Sequence, residues 1–148
     1  MSNAGFSGAI PLEISNLRLL VTLDLSSKVN KTFGNYLTLE ISNLSMLVET
    51  FSQLEELYLD GLPVYGSEWC EALSSSLPNL RVLSLSRCFP SGPIDLSLKK
   101  LRYLSVIHLD GNNFSALFPG FVANFPNLTS LQLCSSGLYG TFPTEIFQ

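Results

Sequence analysis

Residues 104–112 read Leu-Ser-Val-Ile-His-Leu-Asp-Gly-Asn. Ile107-His108-Leu109 alternates apolar and polar at period two, which reads as a short strand with one buried face. The phrase recurs at a step of 24 residues. Upstream, Leu80, Leu83 and Leu85 lead to Cys88, Gly92 and Ile94; downstream, Leu128, Leu131 and Leu133 lead to Ser136, Gly140, Phe142 and Pro143. The central copy runs on to Phe118-Pro119. A fixed period of this size marks stacked repeats. One such strand cannot bury its leucines alone, whereas stacked copies form a parallel sheet with a continuous core behind it. The expected fold is therefore an α/β solenoid of about five repeats. A curved parallel sheet lines its concave face, and short helices or 3₁₀ turns line the convex face.

Two positions refine this reading. Asn112 stands where the chain leaves its strand, and its amide can bond the backbone of adjacent coils. Cys88 and Ser136 hold the same slot with smaller polar groups, and Ala4 holds it with none. Proline in the Gly-x-Ile/Phe-Pro ending fixes φ where no ladder donor is needed. Ile14, Leu17 and Leu20 fall at near-helical spacing, as a convex-side helix or 3₁₀ turn requires.

The register divides the chain into a partial repeat over 1–19 and repeats starting near residues 20, 54, 80, 104 and 128, all within one domain. Met1 falls on a strand-leucine position and Gln148 just past the Pro143 segment, so both ends read as uncapped and the chain as an internal stretch of a longer solenoid. The step from Leu25 to Leu59 is 34 residues, ten longer than the standard repeat. The excess over about 26–51 reads as a polar loop followed by a helix of two to three turns. Leu44, Leu47, Val48, Phe51 and Leu54 form its apolar face, with Ser42 as N-cap. A loop of this kind is either a tolerated surface insertion or a ligand-contacting element.

The Gly-x-Ile-Pro ending resembles the plant extracellular leucine-rich repeat of receptor-like kinases, receptor-like proteins and polygalacturonase inhibitors. Three stretches, starting at Asn3 (Asn-Ala-Gly-Phe-Ser-Gly-Ala-Ile-Pro), Glu68 (Glu-Trp-Cys-Glu-Ala-Leu) and Gly137 (Gly-Leu-Tyr-Gly-Thr-Phe-Pro), resemble the receptor-like proteins related to those giving Verticillium wilt resistance. The resemblance implies a defence receptor ectodomain at the plasma membrane, facing outward. Its partners would be a pathogen- or wall-derived protein or peptide ligand and, for the parent receptor, kinase co-receptors. Two alternatives stay open: a secreted enzyme inhibitor like the polygalacturonase inhibitors, and a truncated gene product without function. The long repeat and the Trp69-Cys70 insertion favour the receptor over the more regular inhibitor arrays.

A net charge of −4 with only 8 Lys and Arg argues against nucleic acid or an anionic membrane surface as partner. No apolar run approaches the roughly 20 residues of a membrane helix, and no signal peptide precedes the first repeat. Three cysteines are too few for a disulfide scaffold. Cys70 and Cys88 flank one turn of the solenoid and are a candidate bridge; alternatively, Cys88 only fills its ladder slot. Cys134 sits on the exposed strand face and is left over. Four Asn-x-Ser/Thr sequons, at Asn30, Asn43, Asn113 and Asn127, are N-glycosylation candidates.

Chemistry is hard to place on this chain. The single histidine, His108, faces outward beside Asp110, and Ser84 and Ser86 stand one repeat earlier. No glycine-rich elbow or oxyanion motif accompanies them. Three scattered cysteines and one histidine lack zinc-ligand spacing, and no phosphate loop follows a strand. No enzyme activity, metal or cofactor is expected. Trp69 is expected to pack on the convex side. The variable information lies on the outward strand face, where Glu56, Tyr58, Asp60, Arg81, Arg87, His108 and Asp110 are the candidate ligand-binding residues. Tyr and Arg are among the side chains that most often dominate interface energy.

Overall fold

The repeating Leu-x-Leu phrases form strands where their alternation places them. The computed structural model describes residues 10–27 and 44–144. Five short strands, β1 (Thr22–Asp24), β2 (Glu56–Tyr58), β3 (Val82–Ser84), β4 (Val106–His108) and β5 (Ser130–Gln132), form one sheet in chain order. Every neighbouring pair is parallel, and the inward residues Leu23, Leu57, Leu83, Ile107 and Leu131 lie in one register. The molecule is a leucine-rich-repeat solenoid with this sheet on its concave face.

Leu57 and Leu83 are fully buried and Ile107 nearly so. The flanking leucines of the same phrases, Leu54, Leu59, Leu80, Leu85, Leu104 and Leu109, are buried with them. Fully burying a leucine contributes about 1.5–3 kcal/mol, so the repeated phrase is also the main source of stability. Backbone bonds continue the ladder past the strands. The N–H groups of Leu25, Leu59, Leu85 and Leu109 each donate to the next coil at 2.9 Å.

The opposite face carries 3₁₀ turns at Leu12–Asn16, Leu96–Lys100 and Gly120–Asn124, and two helices, α1 (Leu44–Val48) and α2 (Trp69–Ser76). The spacing of Ile14, Leu17 and Leu20 thus yields the expected 3₁₀ turn. Helix α1 ends at Val48, ahead of the Phe51 and Leu54 that its apolar spacing assigns to the helix. After Val48 the chain tightens: Phe51 N–H donates to Val48 O, and Leu54 N–H to Phe51 O. These i to i+3 bonds turn Phe51 and Leu54 into the core, where both are fully buried just ahead of β2. The predicted cap Ser42, the loop over 28–43 and Ala4 lie outside the described residues.

Trp69 opens α2 and is 2% exposed, so it belongs to the core beneath the convex helix and not to its surface. Its ring centroid lies 5.9 Å from that of Phe114, two coils further along the chain. The indole N–H is buried without a hydrogen-bond partner among the described residues.

The Asn112 slot works as expected. Asn112 is buried; Nδ2 donates to Leu85 O at 2.8 Å and Leu109 O at 2.9 Å, while Oδ1 accepts from the N–H of Cys88 at 2.9 Å and of Phe89 at 3.1 Å. One side chain therefore satisfies four backbone groups on two coils. Cys88 uses its thiol likewise, donating to Leu59 O at 3.0 Å. Here the candidate bridge fails. Cys70 and Cys88 are both free thiols, and Cys70 Sγ instead accepts from Asp95 N–H at 3.3 Å. Cys88 is held by the ladder bond its slot demands.

Candidate ligand-binding face

Strand alternation and the parallel register create columns of outward side chains. One column runs Thr22, Glu56, Val82, Val106, Ser130; the next runs Asp24, Tyr58, Ser84, His108, Gln132. The column just past the strands holds Ser26, Asp60, Ser86, Asp110 and Cys134. Glu56, Tyr58, Asp60, Arg81, Arg87, His108 and Asp110 therefore lie on or beside one continuous surface. None of them is fully buried.

The side chains differ in how far the fold already uses them. Asp60 accepts from Ser84 Oγ at 2.7 and 2.9 Å and from Ser86 N–H at 2.8 Å. Asp110 accepts from Cys134 N–H at 2.8 Å in the same relation to the next coil. Ser26 Oγ accepts from Asp60 N–H at 3.2 Å. This is a second polar ladder along the face, and it leaves these two aspartates less free to engage a partner than their position suggests. Sequence inspection missed it, although one signal was available: the two acids occupy the same repeat position.

Arg81 is also engaged. Its Nε lies 3.3 Å from Glu55 Oε2, and its guanidinium sits 5.8 Å from the Tyr103 ring centroid. Both charged side chains are about half exposed (57% and 43%), so the pair contributes only about 0–1 kcal/mol. His108 shares a 3.0 Å hydrogen bond with Ser130 Oγ. The Tyr58 hydroxyl donates to Glu56 Oε2 at 3.4 Å, and Thr22 Oγ1 donates to the same oxygen at 3.4 Å. Burial first, then the Glu56 carboxylate, raises the Tyr58 hydroxyl above the ordinary phenol value. It stays a neutral donor at physiological pH.

Arg87 is exposed and adopts φ 57°, in the left-handed region that non-glycine residues seldom occupy. Gly111 in the next coil makes room for it, because a Cβ there would stand 2.8 Å from Arg87 Cγ. The arginine stem therefore lies flat on the neighbouring coil, with its guanidinium left at the edge of the face.

Of the sequon asparagines, Asn113 and Asn127 are exposed, while Asn30 and Asn43 lie outside the described residues. Asn113 Oδ1 accepts from Ser115 Oγ at 2.8 Å within its own sequon. Asn127 Nδ2 donates to Arg102 O at 3.1 Å, as Asn79 Nδ2 does to Ser52 O at 3.0 Å. These two asparagines stitch the entry side of the coils, a role the sequon reading overlooked.

The three cysteines differ sharply in access. Burial pushes the thiols of Cys70 and Cys88 up to about 12, so both remain protonated and unreactive across the physiological range. Cys134 is exposed. Under native, non-reducing conditions iodoacetamide should label Cys134 alone, with Cys70 and Cys88 alkylated only after unfolding. A native mass shift at either buried cysteine would contradict this arrangement.

No family model matches the chain. Curated relatives do. Over 99% of its length the chain is 31% identical to Receptor-like protein 6 of Arabidopsis thaliana, and over 95% it is 34% identical to Receptor-like protein EIX1 of Solanum lycopersicum. It spans only 14% and 13% of those relatives' lengths. Among solved structures, it is similar to the leucine-rich-repeat ectodomain of the Arabidopsis thaliana membrane receptor kinase GASSHO1/SCHENGEN3, crystallised with CASPARIAN STRIP INTEGRITY FACTOR 2. That match has a TM-score of 0.76 at 27% identity, covering 99% of this chain and 16% of the other. With its register, its asparagine slot and these likenesses together, the chain is a leucine-rich-repeat solenoid whose homologues are plant receptor-like proteins.

Proposed function

We propose that this chain is a non-catalytic recognition module, a segment of the ectodomain of a plant cell-surface immune receptor-like protein. Its ligand would be a pathogen- or wall-derived protein or peptide, and the parent receptor would signal through kinase co-receptors. The motifs at Asn3, Glu68 and Gly137 support placement near the wilt-resistance receptors. The observation that carries the reading is the outward strand face, whose Tyr, Arg and acidic residues are not needed by the hydrophobic core. Relatives named as receptor-like proteins align with almost the whole chain.

On this reading the module faces the cell exterior, and Asn113 and Asn127, with Asn30 and Asn43, carry N-glycans. Among the described residues no helix is long and apolar enough to cross a membrane.

Tyr58→Ala or Arg81→Ala in the full-length receptor should weaken the ligand response about tenfold while leaving surface expression unchanged, as truncation of a contact residue does. The expression control also reports the glycans, as a mass loss on glycosidase treatment. Wild-type responses from both variants, or an unglycosylated mature receptor, would count against the proposal.

A further inference from the structure

The flank that each coil forms after its strand carries no charge. Residues 61–67, 88–94 and 111–123, which follow β2, β3 and β4, contain no Asp, Glu, Lys, Arg or His. Buried and exposed positions alternate over 87–91 and 112–115, so Phe89 and Asn113 both point outward. Phe89 is 59% exposed, and Tyr65 on the coil before it is 74% exposed. The two coils pair directly here: Val64 N–H donates to Cys88 O at 2.6 Å and Ser91 N–H to Gly66 O at 3.0 Å. Each has another coil on either side, so the exposure of these rings is not that of a solenoid end. Neither ring packs on another aromatic among the described residues. Phe89 also adopts φ 57°, an outlier for a bulky side chain. Its N–H is held by Asn112 Oδ1 at 3.1 Å. Strain of this kind persists only where the surroundings over-determine it, and it gathers at functional positions.

The neighbour of Asn112 supplies an occupant for this surface. Asn113 holds on its coil the position that Phe89 holds 24 residues earlier. Its carbonyl points at Gly137 of the following coil: a Cβ there would fall nearer to Oδ1 than to Asn113 Cα at 3.3 Å or Cγ at 3.4 Å. Nδ2, the atom to which a glycan is attached, therefore lies on the side away from that coil, toward solvent and Phe89. It makes no hydrogen bond among the described residues, whereas Asn127 Nδ2 is bonded to Arg102 O. We infer that the oligosaccharide of Asn113 folds back along this flank, its first sugar packing a C–H face on the Phe89 ring and its second meeting Tyr65. The inference rests on the extracellular reading above, which attaches the glycan, and adds the surface that seats it. Coils about 4.8 Å apart match the breadth of a pyranose ring, so successive sugars meet successive aromatics. The negative face of an aromatic ring attracts polarised C–H groups, while the sugar hydroxyls stay in water. A neutral occupant also suits a flank that has no charges to pair.

The test is timed peptide-N-glycosidase digestion of the native full-length receptor from plant cells, with release at each sequon followed by glycopeptide mass spectrometry. Release at Asn113 should be about two- to tenfold faster in Phe89→Leu, and likewise in Tyr65→Leu, the factor for losing one aromatic contact. Asn127 is the internal control, and its release should not differ among the three proteins. After denaturation all three should release the Asn113 glycan at one rate. Tyr65 lacks the strained backbone of Phe89, so its variant reports even where Phe89→Leu misfolds. Equal native rates in wild type and both variants overturn the inference while the receptor reading stands. Equal rates together with a lost ligand response would give the flank to a protein partner instead. An Asn113 without a glycan in the mature receptor overturns both.

Discussion

Asn112→Ala should cost roughly 3 kcal/mol or more and lower the melting temperature by about 6–12 °C, because each buried polar group left unpaired costs about 1–3 kcal/mol. The substitution strands the carbonyls of Leu85 and Leu109 and the N–H groups of Cys88 and Phe89 together. Against a total stability of about 5–15 kcal/mol this is a large fraction. Asn112→Asp is the informative companion. It keeps the shape and the acceptor but sets an anion against the two carbonyl oxygens, so it should be no better tolerated than alanine. Cys88→Ser should stay close to wild type, since a hydroxyl can make the same bond to Leu59 O. Thermal melts of the three variants decide the matter. A shift below about 2 °C for Asn112→Ala would mean that water or backbone relaxation replaces the side chain.

Trp69→Ala should destabilise by about 3–5 kcal/mol, the range for deleting a large buried aromatic. The ring is 2% exposed and lies against Phe114, so its removal opens a void that reaches beyond one coil. Trp69→Phe should recover at least half of the loss, because it restores an aromatic contact and removes an indole N–H that has no partner. Urea denaturation of the three proteins measures this directly. Equal stability of the alanine variant and wild type would show that the helix, and not its tryptophan, organises this region.

These effects sit at positions that differed in how readily they could be read. The strands, their order and the Asn112 slot were legible because they recur: a side chain needed at every coil leaves a periodic mark. The free state of Cys70 and Cys88 was not legible. Spacing along the chain says nothing about where each sulfur points, and both thiols face backbone groups of neighbouring coils. The C-terminal end of α1 was not legible, because apolar residues at helical spacing also suit a tightening turn that sends Phe51 and Leu54 inward. On the strand face, alternation identified which residues point outward. It could not tell that Asp60 serves Ser84 and Ser86 while Glu56 remains largely open, since that distinction lies between contacts of 2.7–2.9 Å and of 3.4 Å.

The register pairs Leu23 with Leu57, Leu83, Ile107 and Leu131 across steps of 34, 26, 24 and 24 residues without a slip. Lengthening a connection by ten residues costs only about 0.3 kcal/mol of closure entropy. Length variation is therefore absorbed away from the sheet, and each outward column keeps its address whatever the rest of its coil does. A gene encoding such coils can exchange, lengthen or duplicate them by unequal recombination and still return an aligned face. Selection can then act on single outward residues, one column at a time, while the wall that carries them is inherited intact.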